Sequence, residues 1–185
     1  FHGIYDLNFV SKILPQSIDK TRLVMLSQHM NKVFKLNRIY CGSIDGFKAN
    51  NFHENCDDKG PTICIIKNEY DTIFGGYTSV SWNSKGKNDD DTAFLFQLYP
   101  EPNIFIQRDD NIYNRCIYTQ SYHMCGWSTQ CDLLIKDQCN IKSKNMSYAT
   151  RGSYTFNDAT QLVGGQSSNG YVSFLVKDIE VFQCK

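Results

Sequence analysis

The period of the apolar residues changes at Arg38, and that change constrains the fold more than any other feature of the chain. Upstream, Leu23, Leu26, Met30 and Val33 recur at helical spacing, with Ser17 placed to cap the segment. Phe1 to Leu14 reads as a shorter helix stopped by Pro15. Downstream, Arg38 to Ser43 reads as a strand leading to a helix that starts near Gly46 and carries Phe47, Phe52 and Cys56. Thr62 to Lys67, Thr72 to Ser79 and Ala93 to Leu98 are short runs rich in Ile, Phe, Thr and Tyr, residues that fit a pleated surface. Polar turns separate them at Lys67 to Asp71 and Asn83 to Asp91, and Ile104 to Gln107, Asp132 to Ile135 and Tyr171 to Cys184 extend the series. Short strands with hairpin-length connections make antiparallel sheets, because a parallel neighbour needs a long crossover. The pattern predicts an α+β, mainly β chain: a two-sheet antiparallel β-sandwich flanked by a few helices. It forms a single domain, with residues 1–36 as an N-terminal helical segment packing on the sandwich of residues 37–185.

The last run is out of phase with itself. Val172, Phe174 and Val176 share one parity and Ile179 and Val181 the other, with Lys177-Asp178 at the break. One extra residue in a bulge would turn both sets to the core. A strand buried on both faces would satisfy the pattern too, since parity then carries no meaning. Gly75-Gly76, inside a Phe-Gly-Gly-Tyr run, marks a bulge or a close backbone approach.

Several functions lack support. With 19 basic and 19 acidic residues the net charge is zero, and no basic patch interleaves with aromatics, so nothing draws the chain to nucleic acid. The apolar runs are too short to cross a bilayer, so no membrane insertion is expected. The chain begins with Phe1, not Met, which reads as a fragment or a processed form. Its 185 residues can bury a core without staples, and its eight cysteines are irregularly spaced and partly inside apolar runs. That pattern fits reduced thiols in a cytoplasmic, intracellular setting. Asn145-Met-Ser is a lone glycosylation pattern and carries no weight.

No complete reactive set is visible, so no catalytic residue, cofactor or metal ligand is assigned. His53 and Cys56 share a helix face, and His123, Cys125, Cys131 and Cys139 lie further on, but no Cys-x-x-Cys pair accompanies them as a zinc site would require. Cys125 with His123 or His53 would be the pair for a thiol nucleophile, without a local signature to support it. Gly42-Ser43-Ile44-Asp45-Gly46 lacks the nucleophile-elbow spacing, and Ser43 or Asp45 reads as the cap of the following helix. Asp89-Asp90-Asp91 lacks the spaced oxygen ligands of a calcium loop and reads as a solvated hairpin tip. Gly164 to Gly170 has no Lys and opens a strand, unlike a phosphate cradle. The stretch most suited to recognition is Ser43 to Asp58, with Asp45, His53, Glu54, Asp57 and Asp58 as polar protein-binding candidates and Phe47 and Phe52 as anchors. Charge reversal at Asp57 and Asp58 is expected to weaken partner capture while leaving melting nearly unchanged.

An ordered series of motifs carries a family resemblance. It runs Cys-Gly-Ser-Ile-Asp-Gly-Phe from Cys41, Asn-Phe-His-Glu-Asn-Cys-Asp to Asp57, Gly-Pro-Thr-Ile-Cys-Ile-Ile to Ile66, Ile-Phe-Gly-Gly-Tyr-Thr-Ser to Ser79, Trp82, and Ala-Phe-Leu-Phe-Gln-Leu to Leu98. Cys131-Asp-Leu-Leu-Ile, Ser147-Tyr, Gly152-Ser-Tyr, Leu162-Val-Gly-Gly and Val176-Lys-Asp-Ile-Glu-Val-Phe follow. The series resembles the TLDc domain of oxidation-resistance proteins from about Ile13 to Lys185, departing from it at Met124-Cys125-Gly126-Trp127. The resemblance implies a helix-flanked β-sandwich without an established active site, a link to oxidative-stress resistance and, for several members, binding to the peripheral sector of the vacuolar proton pump (V-ATPase). The expected role is a noncatalytic protein-interaction domain. The alternatives are a structural component docked on a cytoskeletal or ciliary microtubule lattice, and a cysteine-based redox enzyme.

Overall fold

The computed structural model describes residues 10–15, 20–109, 115–142 and 146–185. The Ser17 cap, Asn145 and most of the expected first helix lie outside them. Val10 to Leu14, the described end of that helix, is instead irregular chain. There the Ser11 hydroxyl accepts hydrogen bonds from the amides of Ile13 and Leu14, offering the backbone an alternative to a helical turn. The helical spacing gives α1 (Lys20–Met30); Val33 lies beyond its end and is exposed.

The strand region begins with β1 (Leu36–Cys41), a single helical turn α2 (Gly42–Asp45) and α3 (Ala49–Cys56). A meander of β2 (Thr62–Asn68), β3 (Ile73–Thr78), β5 (Phe94–Tyr99) and β6 (Asn103–Phe105) follows, with β4 (Lys87–Asp89) crossing to the other sheet between β3 and β5. Then come β7 (Cys116–Tyr118), β8 (His123–Trp127), β9 (Leu133–Lys136), β10 (Ser147–Thr150), the turn α4 (Thr160–Val163), β11 (Tyr171–Phe174) and β12 (Val176–Cys184). Among the described residues the strands form two six-stranded antiparallel sheets, ordered β1-β12-β2-β3-β5-β6 and β11-β10-β9-β8-β7-β4. The two-layer, mainly β sandwich is the architecture the strand pattern predicts.

The out-of-phase final run resolves into two strands. It leaves the second sheet after Phe174 and enters the first at Val176. Val176 pairs with Asn68 and Asp178 with Lys67, so Lys177 is an extra residue opposite one step of β2. The bulge turns both apolar sets inward, and Val172, Phe174, Val176, Ile179 and Val181 all join the core between the sheets.

That core is built on edge-to-face aromatic contacts, with Phe52 against Trp82, Trp82 against Trp127 and Phe74 against Phe174. A second cluster covers the outer face of the first sheet. Ile13, Leu23 and Leu26 lie with Ile63, Ile65, Phe94, Phe96 and Phe182, which is why β3 is buried along its whole length. On that face buried Glu180 pairs with Arg38 at 2.6 Å and accepts hydrogen bonds from the Ser11 hydroxyl and, at 3.0 Å, from the Lys12 amide. On the second sheet, along β11 exposed Tyr171 and Ser173 alternate with buried Val172 and Phe174, while on the same outer face Leu134 of β9 is buried.

Candidate functional site

The Ser43 to Asp58 stretch is two helical turns bent apart rather than one helix starting near Gly46. Gly46 takes a φ of +95° after α2, and α3 starts only at Ala49. Neither Ser43 nor Asp45 caps α3. The Ala49 amide donates instead to Asp137 Oδ1 at 2.7 Å, a carboxylate beyond β9 that no local capping pattern could reveal. Asp45 Oδ2 accepts from the Cys41 amide at 2.7 Å, and Ser43 gives its amide and hydroxyl to Asp178 at 2.9 and 2.6 Å. Both residues therefore shape the strand-to-helix turn. Phe52 and Cys56 are fully buried, and Phe47 packs on the same core, fixing the turn as a rigid platform.

The polar candidates divide into two groups. His53 is buried, with Nδ1 2.8 Å from Asp57 Oδ1 and Nε2 2.8 Å from the His123 carbonyl, so the ring ties α3 to the start of β8. Asp57 is half-buried and also accepts the Ser84 hydroxyl at 2.5 Å. Glu54 and Asp58 are exposed. Asp58 gives its amide to the Trp82 carbonyl at 2.9 Å with a φ of +59°, a conformation Asp and Asn tolerate. The side chains free to meet a partner are thus those of Glu54 and Asp58. Melting neutrality does not extend to Asp57. Asp57→Lys is expected to remove the His53 and Ser84 bonds and cost about 1–2 kcal/mol. The exposed double variant Glu54→Lys/Asp58→Asn should melt within experimental scatter of the parent, and thermal denaturation of both variants checks the division.

The cysteines are free thiols, seven of them buried and Cys184 half-buried. Burial pushes the Cys116 thiol up to about 11 and Cys184 up to about 12, and it raises Cys56, Cys125, Cys131 and Cys139 as well. A raised thiol is a poor source of thiolate at neutral pH. Cys125 lies in the inter-sheet core, and neither ring nitrogen of His53 is directed at it. Native protein is expected to react slowly with a thiol reagent at every cysteine, and a reducing agent should leave its circular dichroism unchanged. Rapid modification of any one thiol at neutral pH would return the redox-enzyme alternative.

Two acids serve the scaffold. Asp90 is not part of a solvated hairpin tip: it is buried and receives Thr78 Oγ1, the Ser79 amide and hydroxyl, and the Thr92 amide and hydroxyl within 2.7–3.0 Å. Burial alone would raise its carboxyl, but these donors outweigh it and hold the group below its ordinary value. Asp132 receives the Ser128 hydroxyl at 2.5 Å and the Ser153 and Tyr154 amides at 2.6 and 3.0 Å; here burial prevails and its carboxyl is raised. A groove of about 630 Å³ opens between the end of α1 and the start of β5, with Tyr77, Ala93 and Phe94 among its lining. No group of three or more metal-ligating side chains converges among the described residues, and no described helix is long and apolar enough to cross a membrane.

A stretch of 52 residues is 36% identical to MTOR-associated protein MEAK7 of Danio rerio, covering 28% of this chain and 12% of that protein's length. The family model described as the TLDc domain matches residues 7–185, nearly the whole chain, across both sheets and the α2–α3 platform: the chain belongs to the TLDc family.

Proposed function

We propose that this chain is a noncatalytic protein-interaction domain that binds and modulates a larger assembly, working through a surface and not a reactive group. The observation that carries the proposal is the α2–α3 platform. Its buried residues are locked by Phe52, Cys56 and the His53 bridge, while Glu54 and Asp58 project from it into solvent. Loops held on rigid scaffolds are common carriers of recognition. Asp45, His53 and Asp57 then act as positioning residues, and Glu54 and Asp58 meet the partner. The peripheral sector of the vacuolar proton pump is the first candidate partner, on the family resemblance, with a role in oxidative-stress resistance and a cytoplasmic location. The name of the matched zebrafish protein adds an mTOR-associated assembly as the second candidate.

Affinity capture from native cells tests the proposal, comparing the parent with Glu54→Lys/Asp58→Asn. Pump subunits, or components of an mTOR assembly, are expected with the parent and depleted with the variant. Equal recovery of every partner removes this loop from the interface. Recovery of tubulin that survives salt washing would favour the lattice alternative.

A further inference from the structure

The two outer faces of the sandwich are treated differently. The first sheet is covered by α1 and the Ser11–Leu14 segment; among the described residues of the second, Tyr171 is exposed, Tyr118, Lys136 and Tyr148 are half-buried, and Leu134 lies buried beneath them. Ile117, Leu133, Ile135, Ala149 and Val172 point into the inter-sheet core, so alternation places Tyr118, Lys136, Tyr148 and Tyr171 on the outer side. These side chains form a connected stripe. Tyr148 and Tyr171 meet edge to face at 6.0 Å between centroids, Lys136 Nζ sits 5.3 Å from the centre of the Tyr148 ring, and Tyr122 meets His123 at 4.6 Å.

The charge on this stripe is incomplete. Lys87, opposite Tyr118, has Asp89 at 3.6 Å. Lys136 forms no carboxylate ion pair among the described residues, and the adjacent Asp137 is committed to the Ala49 amide and to Gln138. The Tyr122 hydroxyl and burial push Tyr118 up to about 12, and burial and the Cys131 thiol push Tyr148 to about 12, so both phenols remain protonated. Among the described residues, the face therefore offers protonated phenols around Lys136, a cation without a carboxylate partner.

We propose that the outer face of the second sheet binds an acidic, extended segment of a partner protein, with Lys136 taking a carboxylate and the tyrosines supplying contact area and donors. The proposal rests on the partner-binding reading above but uses a different surface. Tyrosine suits such a role because it buries large area at low entropic cost. Single-stranded nucleic acid would also stack on tyrosines, but it needs a groove of cations, which the described residues of this face do not form.

Fluorescence anisotropy decides between them. The probes are a short labelled peptide alternating Glu with Thr, the same peptide with Lys in place of Glu, and a labelled oligo(dT). The Glu peptide is expected to bind, to weaken as salt rises, and to lose about tenfold in affinity with Lys136→Glu and several-fold with Tyr171→Ala. Lys136→Met repeats the test without charge reversal, and circular dichroism confirms that each variant folds. Glu54→Lys/Asp58→Asn should leave peptide binding unchanged, which separates failure of this proposal from failure of the platform. Absent binding of the Glu peptide, equal binding of the Lys peptide, binding of oligo(dT) alone, or indifference to both Lys136 variants overturns the proposal.

Discussion

Gly76→Val should lower the melting temperature by roughly 6–12 °C, corresponding to about 3 kcal/mol for a domain of this size. A Cβ placed on Gly76 would lie 2.3 Å from Cε2 and 2.5 Å from Cζ2 of Trp127. That indole cannot step aside. It is fully buried, packs edge to face on Trp82, and donates its Nε1–H to the Tyr77 carbonyl at 3.1 Å. Moving it would break a buried hydrogen bond and disturb the contact between the two sheets. Gly75 is tighter still, since its Cβ would stand 1.8 Å from the Cys64 carbonyl oxygen on β2. Gly76→Ala should show a smaller loss in the same direction. Melting curves for Gly76→Ala and Gly76→Val that match the parent would mean that the sheets are not in contact here.

Asp90→Ala is the other large effect expected, also about 3 kcal/mol, because it strands several hydrogen-bond donors in a buried turn. The carboxylate joins the end of β3 to the start of β5 through Thr78, Ser79 and Thr92. The pH dependence has a definite sign. The folded-state pKa lies below the ordinary 3.8, so the unfolded chain binds the proton more readily. The stabilisation is fully present above the unfolded value and is lost as pH falls through the lower, folded one. Asp132 works in the opposite sense, since its raised folded pKa gives stability at low pH that fades as pH rises through that value. Denaturant midpoints measured from neutral pH into the acid range should therefore fall less steeply for Asp90→Asn than for the parent. An identical acid limb in the two proteins would contradict the role given to Asp90.

The strands legible in the sequence are those with enough length and β-branched or aromatic content to show a pattern. Thr62 to Lys67, Thr72 to Ser79 and Ala93 to Leu98 match β2, β3 and β5 within a residue or so. Lys87–Asp89, Cys116–Tyr118 and His123–Trp127 gave no periodic signal, being short or mixed with Gly, Cys and His, and they pair because neighbouring strands present complementary edges. The phase break at Lys177-Asp178 was visible, but the switch of sheets at Leu175 was not, since parity reports which face is buried and not which partner covers it. In the candidate site, Phe52 and Cys56 were recognisable as core from their helical spacing. The bond of Asp45 to Cys41 is local, but the commitments of His53 and Asp57 depend on His123 and Ser84, contacts that no local pattern encodes. The burial of Asp90 is hidden for the same reason: a run of three acids looks solvated until the donors of Thr78, Ser79 and Thr92 are placed around it.

The most direct test of the account is equilibrium binding of the purified chain to an immobilised peripheral sector of the vacuolar proton pump. Parent and Glu54→Lys/Asp58→Asn are compared at matched melting temperature. The account predicts saturable binding by the parent and at least about tenfold weaker binding by the variant, as expected when partner-facing charges are removed from a folded scaffold. Equal affinity of the two proteins, with both fully folded, would contradict it.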